Sequence, residues 1–306
     1  MKLSLVIPLF NEEAIIPVLY ERCMAAMKQI TEDFEIICVD DGSSDNTLEK
    51  LVEHHKKDNR FKVLTLSRNF GHQAAYTAGL NHAKGDFTAM IDGDLQDPPE
   101  LIKEMHEKLL AENLDVVYGR RTGREEGFAK KSMIRLFHLA FNKFSSVNAP
   151  ANVGNFSIMN KQALEALVNL REKNRYLPGL RYFVGFKQGF VDYVRPDRET
   201  GEAKMSTFKL VKLALDALFS FSKTPIRICL YLGIAGVIFS LVGGAIVIFK
   251  KIIGVAIEGW TSTLLSIYFF GSVQLLFMGI LGEYIHRIFI ETQDRPIYIV
   301  KDFYEG

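Results

Sequence analysis

Two carboxylates stand one residue apart in the segment IDGDLQDPPE, at Asp92 and Asp94. They follow a short apolar run at residues 87–91, which is typical of a buried β-strand. At the end of a strand both carboxylates can reach one divalent cation, because hard cations prefer oxygen ligands. The diphosphate of a nucleotide could complete the ligand set, which would suit an enzyme that handles activated donors. The alternative is an aspartate-rich turn before a helix opened by Pro98 and Pro99.

Strand-like runs alternate with helix-like segments over the first two-thirds of the chain. The predicted strands cover 3–9, 35–39, 61–66, 87–91 and 116–118, and the predicted helices cover 14–30, 47–57, 73–83 and 99–112. This alternation predicts an α/β domain on a parallel, helix-covered sheet, whose ligands bind beyond the carboxyl ends of the strands. Asp40 and Asp41 follow the second strand, as Asp92 and Asp94 follow the fourth. The recurrence favours a ligand site over a simple turn.

Charge and cysteine content narrow the classes of function. The 37 Lys and Arg residues nearly balance the 36 Asp and Glu residues, giving a net charge of +1, so no global basic field would recruit nucleic acid. Cys23, Cys38 and Cys229 are far apart in apolar stretches, which predicts buried thiols in a reducing compartment. The first residues read as a strand and not as a signal peptide, so we expect a cytosolic N-terminal half.

Two uncharged apolar runs, 228–249 and 259–282, mark the last third of the chain. Each is long enough to cross the ~30 Å hydrocarbon core, which takes about 20 helical residues. We predict two transmembrane helices; a pair of buried core helices is the alternative. Two spans return the chain to its starting side, and flanking basic residues favour the cytoplasm for that side, although Lys250 and Lys251 between the runs argue mildly against it. Glycines in the first run would permit close helix packing and self-association into a homo-oligomer.

Residues 205–222 place apolar side chains on one helical face with lysines among them. This pattern predicts a helix lying on anionic lipid; a helix that closes the preceding domain is the alternative. We therefore divide the chain into four parts. They are a cytoplasmic α/β domain at 1–204, an amphipathic juxtamembrane region at 205–225, a two-helix transmembrane domain at 226–285 and a cytoplasmic tail at 286–306.

Ordered motifs run along nearly the whole chain: VIPLFNEE, VDDGSSDNT, SRNFGHQAAYTAGL, IDGDLQDPPE, VVYGRRTGR, VRPDRETGEAK and GEYIHRIFIETQDRPIYIV. Together they resemble glycosyltransferase family 2, and most closely its polyisoprenyl-phosphate branch, the dolichol-phosphate mannose synthases and bacterial bactoprenol glucosyltransferases. The resemblance implies a GT-A (Rossmann-like) fold, a nucleotide-sugar donor, Mg²⁺ or Mn²⁺, and a polyprenyl-phosphate acceptor. It also implies an integral protein of the bacterial inner membrane.

The resemblance assigns roles to residues. It implies nucleotide binding by Pro8, Asn11, Glu12, Asp40, Asp41, Asp92 and Arg121, and metal binding by Asp92, Asp94 and Gln96. A carboxylate can accept a uracil N–H, and the cation would neutralise the departing diphosphate. The catalytic candidates are Asp94, Asn155 and the basic run Arg195, Arg198 and Lys204. The basic run could bind the donor diphosphate or the acceptor phosphate, with Arg124 a weaker candidate and a solvated loop the alternative.

Asn155 departs from the family pattern. The family segment reads like GDFRL, and its Asp is often proposed as the catalytic base. This chain has Gly154-Asn155-Phe156-Ser157-Ile158 there, with Asn155 in place of that Asp. A neutral amide cannot act as that base. A lipid phosphate needs none, since its oxygen is already an anion, and Asn155 would then only orient substrate. A different donor or acceptor is the other explanation. Ala203 and Met205 are a second departure, where GESK-Tyr is usual.

The sequence is compatible with three functions. The first is inverting transfer from a UDP-sugar to undecaprenyl-type phosphate at the cytoplasmic leaflet. The second keeps the fold but uses a glycolipid or a cell-wall glycan as acceptor, which would need a base. The third is a catalytically silent membrane scaffold, which the intact acidic and basic motifs disfavour.

Overall fold

A computed structural model describes residues 1–122, 153–173, 175–194, 224–253 and 259–305. The described residues fall into two compact units. One holds those up to residue 194 together with those from Pro296 onward, and the other holds those between 224 and 295. The first is an α/β unit, and the second is helical.

Eight strands in the α/β unit form one sheet: β1 (Leu3–Leu9), β2 (Phe34–Asp40), β3 (Phe61–Leu66), β4 (Phe87–Met90), β5 (Val116–Thr122), β6 (Val153–Asn160), β7 (Gln188–Val194) and β8 (Val300–Tyr304). Their order across the sheet is β7-β5-β6-β4-β1-β2-β3-β8. Six helices accompany them: α1 (Ile16–Lys28), α2 (Thr47–His55), α3 (His72–His82), α4 (Leu101–Ala111), α5 (Lys161–Val168) and α6 (Leu177–Phe183). The predicted α/β architecture is confirmed.

The prediction of a wholly parallel sheet is wrong. Strands β4, β1, β2 and β3 are parallel neighbours, as expected. Strand β6, however, runs antiparallel between β4 and β5, and β8 runs antiparallel along β3. Neither segment is predicted as a strand from the sequence, because both are short and interrupted by polar residues, such as Asn155 and Ser157 in β6 and Lys301 and Asp302 in β8. The sheet is therefore mixed.

Both faces of the central strands are covered. On one face Leu5 and Ile7 of β1 belong to a core cluster that includes side chains of α1 and α4. On the other face α3 packs so closely that a Cβ on Gly79 would lie 2.3 Å from Val6 Cγ1. Burial on both faces explains why β1 reads as a continuous apolar run and not as an alternating one.

The second unit consists of α7 (Thr224–Ile252, 29 residues) and α8 (Trp260–Gln293, 34 residues). Large apolar side chains on both helices face outward, among them Phe239 and Leu275, which are 74% and 70% exposed. Among the described residues, one stretch, Ser266–Gln293, is long and apolar enough to cross a membrane, and α7 contains a shorter apolar stretch, Tyr231–Gly243. The predicted juxtamembrane helix at 205–222 lies outside the described residues.

Candidate functional site

The loops that follow β1 and β2 are joined by hydrogen bonds. Asn11 adopts a left-handed backbone conformation, with φ at 53°. Its Oδ1 accepts from Ser44 N at 2.8 Å, and its own N–H donates to Ser43 Oγ at 3.0 Å. Next to it, Glu12 N donates to Thr47 Oγ1 at 2.9 Å. The structure thus brings the predicted nucleotide-binding residues of both loops to one edge of the sheet.

Asp40 and Asp41 end β2 and are 1% and 3% exposed. Asp41 accepts from two backbone amides of the loop after β3, at 2.7 Å from Phe70 N and 2.9 Å from Gly71 N. Asp40 Oδ1 accepts from Ser43 N at 3.2 Å. Burial raises the pKa of both carboxyls above the ordinary value. Asp41 therefore shapes the loop that leads into α3, a task that sequence reasoning did not assign to it.

Asp92 is held by two side chains of α3. Tyr76 Oη donates to Asp92 Oδ1 at 2.8 Å, and His72 Nε2 lies 3.2 Å from the same oxygen. Burial alone would raise the pKa of Asp92, but the His72 and Tyr76 contacts and the charge of Arg121 hold it well below its usual range. Burial would lower the pKa of His72, yet Asp92, Asp94 and Asp41 raise it above the ordinary value. Asp92 is thus a fixed, ionised carboxylate that is 19% exposed.

Gly93 lets the two carboxylates approach the end of β1. A Cβ at this position would lie 2.4 Å from Leu9 Cδ2 and 2.9 Å from Pro8 O, so no larger residue fits without a shift. On its other side Asp94 Oδ1 accepts from Gln96 N at 3.2 Å. Asp92 and Asp94 therefore flank a glycine packed against the sheet.

The residues at this turn fit a divalent cation bound together with a ligand. Asp92, Asp94 and Gln96 offer carboxylate and amide oxygens, the donors that Mg²⁺ and Mn²⁺ accept. Among the described residues no group of three or more His, Cys, Asp or Glu side chains is arranged to hold an ion.

Arg121, near the end of β5, belongs to a buried polar group. Its Nη2 lies 3.4 Å from Asp97 Oδ1, and its Nε donates to Tyr193 Oη at 3.1 Å. Tyr193 Oη in turn donates to Asp97, whose side chain is 0% exposed. The predicted nucleotide ligand Arg121 is therefore tied to the loop after Asp94, and its side chain remains 25% exposed.

Asn155 lies on β6 at the same edge of the sheet. Met90 pairs with Ser157 as the last pair of the antiparallel β4–β6 ladder, and Asn155 and Asp92 each lie two residues beyond that pair on their own segments. Asn155 is 9% exposed, and its Oδ1 has no hydrogen-bond partner among the described residues. Arg181 from α6 donates to its backbone carbonyl at 2.7 Å.

The remaining catalytic candidates, Arg195, Arg198 and Lys204, lie outside the described residues, as do Arg124, Ala203 and Met205. The structure adds three residues that the sequence analysis missed: His72, Tyr76 and Arg181. His72 and Tyr76 are four residues apart at the start of a helix that follows a strand, so they lie on one helical face directed at the strand ends. That spacing could have identified them, whereas nothing in the sequence singles out Arg181.

Residues 4–168 match the model of the Glycosyl transferase family 2 family. An uncharacterized glycosyltransferase of Bacillus subtilis is 41% identical, covering 98% of this chain and 94% of the relative. A prophage bactoprenol glucosyl transferase homolog of Escherichia coli is 39% identical, covering 98% of this chain and 99% of the relative. The bactoprenol glucosyl transferase of Shigella phage SfII is 39% identical, covering 100% and 99%.

Among solved structures, glucosyl-3-phosphoglycerate synthase from Mycobacterium tuberculosis, in complex with uridine-diphosphate, superposes with a TM-score of 0.47 at 18% identity. The match covers 72% of this chain and 79% of that one.

Proposed function

The chain belongs to glycosyl transferase family 2 and is a glycosyltransferase, and from that basis we propose that it moves one sugar from a UDP-sugar to the phosphate of an undecaprenyl-type lipid, with inversion at the anomeric carbon. The observation that carries the proposal is the pair Asp92 and Asp94 just after β4, with Asp92 held by Tyr76 and His72, together with the buried Asp40 and Asp41 at the end of β2 on the other side of β1. The full-length similarity to bactoprenol glucosyl transferases supports the lipid acceptor.

On the donor side, the chain would hold the nucleotide between the β1 and β2 loops and the diphosphate at Asp92 and Asp94. Mg²⁺ or Mn²⁺ bound to these two carboxylates and Gln96 would neutralise charge on the leaving diphosphate. Tyr76 fixes the orientation of the Asp92 carboxylate through its 2.8 Å hydrogen bond. His72, 48% exposed and cationic when protonated, lies close enough to meet the diphosphate in the same place.

On the acceptor side, no residue needs to remove a proton. A phosphate monoester is already an anion near neutral pH, so positioning and charge neutralisation suffice. This accords with Asn155 on β6, the strand that pairs with β4, because an amide at that position cannot serve as a base. Arg195, Arg198 and Lys204, which follow β7 in the chain, are the residues we expect to bind phosphate there.

The sheet topology supports two membrane spans. Strands β1 to β7 precede α7, and β8 follows α8, yet all eight strands belong to one sheet. The chain between them must therefore cross a membrane an even number of times if it crosses at all. Two uncharged runs, the outward apolar side chains and the flanking basic residues support a pair of spans with the α/β unit on the cytoplasmic side. An interfacial helix at 205–225 and self-association of the spans remain part of the proposal.

The test is transfer of labelled sugar. Membranes containing the full chain are incubated with labelled UDP-sugars, Mg²⁺ or Mn²⁺ and polyprenyl phosphate, and the lipid fraction is counted. Label in the lipid supports the proposal. No label with any common UDP-sugar would refute the lipid-phosphate acceptor, and label in a glycolipid or glycan would favour the other acceptor class. A silent scaffold would also show no metal-dependent protection by UDP.

Asp94→Asn tests the site itself. We expect loss of transfer without loss of folding, because the amide keeps the shape but removes the charge. Asp192→Asn is the matched control, since Asp192 is an exposed carboxylate on β7 paired with Arg120 at 2.8 Å. Retained transfer by Asp94→Asn, or equal loss in both variants, would contradict the metal role of Asp94.

A further inference from the structure

Arg181 is a buried cation that forms no salt bridge with the carboxylates of the described residues. Its side chain is 1% exposed, and among the described residues no Asp or Glu oxygen lies within 4.0 Å of it. Arginine cannot lose its proton to escape the cost of burial, so this charge must be stabilised by carbonyl dipoles, by tyrosine rings and by the more distant charge of Asp92. The guanidinium carbon indeed lies 5.1 Å from the centre of the Tyr118 ring. A charged group in such a place can bind neighbouring carbonyl groups more strongly than a neutral side chain would.

The guanidinium group binds the start of β6. Nη2 donates to Gly154 O at 2.6 Å, and Nη1 donates to Asn155 O at 2.7 Å and to Ser157 Oγ. One planar fork therefore bridges two consecutive carbonyl groups, which fixes the backbone of that dipeptide. A lysine could not make both contacts from one rigid group.

The dipeptide held in this way carries a buried polar atom that lacks a partner. Asn155 Oδ1 forms no hydrogen bond among the described residues, although the residue is nine-tenths buried. Buried polar groups are nearly always paired, and of the several unpaired atoms in the described residues this one lies on β6 beside the strand that leads to Asp92, where a ligand could supply the partner. An amide oxygen accepts hydrogen bonds, and the matching group on a sugar is a hydroxyl or an N-acetyl N–H.

We propose that Arg181 is a positioning residue, which fixes the Gly154–Asn155 backbone so that Asn155 Oδ1 accepts a hydrogen bond from the transferred sugar. This rests on the proposed sugar transfer and extends it to a residue that never touches the substrate. Arg181 acts through Asn155, so substitutions of the two residues should not have independent effects.

Arg175 provides a matched control. It is also a buried arginine, 9% exposed, and it too donates only to carbonyl groups, Leu170 O at 2.7 Å and Leu167 O at 2.9 Å. These carbonyls lie at the end of α5 and not at the candidate site. If the loss of any buried arginine lowers sugar transfer, substitution at either position should lower it. If Arg181 positions the sugar, only substitution of Arg181 should lower it.

The first arm measures kinetics on the full chain with UDP-sugar and polyprenyl phosphate. Arg181→Met and Asn155→Ala should each lower kcat on the order of a hundredfold, the loss that a displacement of about 1 Å can cause, with the donor KM little changed. The double variant should lose no more than either single variant, and Arg175→Met should keep its kcat. Arg181→Lys, which retains the cation, should lose kcat like Arg181→Met. Multiplying losses, or normal turnover by Arg181→Lys, would overturn the proposal.

The second arm needs no turnover and separates failure of this proposal from failure of the proposed function. Amide hydrogen exchange of the full chain should become faster at 153–157 in Arg181→Met and remain unchanged at α5, with the reverse pattern in Arg175→Met. If the wild type transfers no sugar to polyprenyl phosphate, the proposed function fails, while this arm still decides the role of Arg181. Unchanged exchange at 153–157 in Arg181→Met would overturn it, and Arg181→Lys serves in this arm if Arg181→Met does not fold.

Discussion

Substitution of Gly93 by alanine tests whether the close approach of the Asp92–Asp94 turn to β1 matters for catalysis. The added Cβ would lie 2.4 Å from Leu9 Cδ2 and 2.9 Å from Pro8 O. Ordinary contacts of a Cβ lie at 3.4–4 Å. The Leu9 side chain can rotate away, but Pro8 O belongs to the backbone of a buried strand and cannot. The turn itself must therefore move by roughly half an ångström or more to relieve the contact.

Two effects of different size follow from that displacement. Overpacking of a well-packed site costs about 1–3 kcal/mol, which lowers the thermal midpoint by roughly 2–12 °C for a unit of this size. Displacement of both carboxylates should lower kcat by about tenfold to a hundredfold, because catalytic groups displaced by about 1 Å lose up to that factor.

Gly85→Ala separates the two effects. Gly85 precedes β4 as Gly93 follows it, and a Cβ there would lie 2.7 Å from Ser4 N and from Phe87 O. This clash is of similar size but lies at the opposite edge of the sheet. Thermal unfolding and sugar transfer are measured on both full-length variants. We expect similar losses of stability and a loss of kcat only for Gly93→Ala; equal losses of kcat would refute the positional argument.

Two further predictions concern hydrogen bonds to buried carboxylates. Tyr76→Phe removes the 2.8 Å hydrogen bond to Asp92. We expect Mn²⁺ to activate sugar transfer about 10–100-fold more weakly in this variant, as measured by metal titration. Tyr20→Phe on α1 is the control. Glu35 is 1% exposed and accepts hydrogen bonds from Ser4 Oγ at 2.6 Å and Lys62 Nζ at 2.9 Å. Burial alone would raise the pKa of Glu35, but these hydrogen bonds hold the pKa below the ordinary 4.5. The ionised Glu35 therefore stabilises the fold above pH 4.5, and this stabilisation is lost as the pH falls through the pKa of Glu35 in the folded protein. Glu35→Gln should lower the free energy of unfolding by about 1–3 kcal/mol at neutral pH and flatten the acid side of a pH–stability profile. An unchanged acid limb would show that Glu35 is not responsible.

The parts of the fold that sequence reasoning predicted are those where local pattern and tertiary burial agree. Strands β1 and β3 have the predicted bounds, and the helices α1 to α4 begin and end within two residues of expectation. The strands are mostly apolar runs and the helices are amphipathic, so the pattern of each segment indicates its burial. The position of Asp92 and Asp94 at a strand end followed from the same pattern, because a parallel strand delivers its next residues to one edge of the sheet.

The parts that it could not predict depend on long-range pairing. No local signal indicates that β6 inserts between β4 and β5, or that Arg181 of α6 reaches the carbonyls of Gly154 and Asn155. Asp41 illustrates the same limit within a recognised motif, since its carboxylate accepts from amides about thirty residues away. The residue types indicate what these side chains can bind, but their actual hydrogen-bond partners depend on the order of the strands in the sheet.

The strand β8 shows that residues 300–304, which follow α8 in the chain, belong to the sheet of the α/β unit. It pairs with β3 through residues 300–304, and just before it Ile299 O accepts from Ser67 N at 2.9 Å. Ser67 begins the loop whose amides bind Asp41 and whose next helix brings His72 to Asp92. The segment after α8 is therefore hydrogen-bonded to the strand whose following loop binds Asp41. Under the proposed function, sugar transfer would depend on this pairing, since an unpaired β3 would leave that loop without its neighbour.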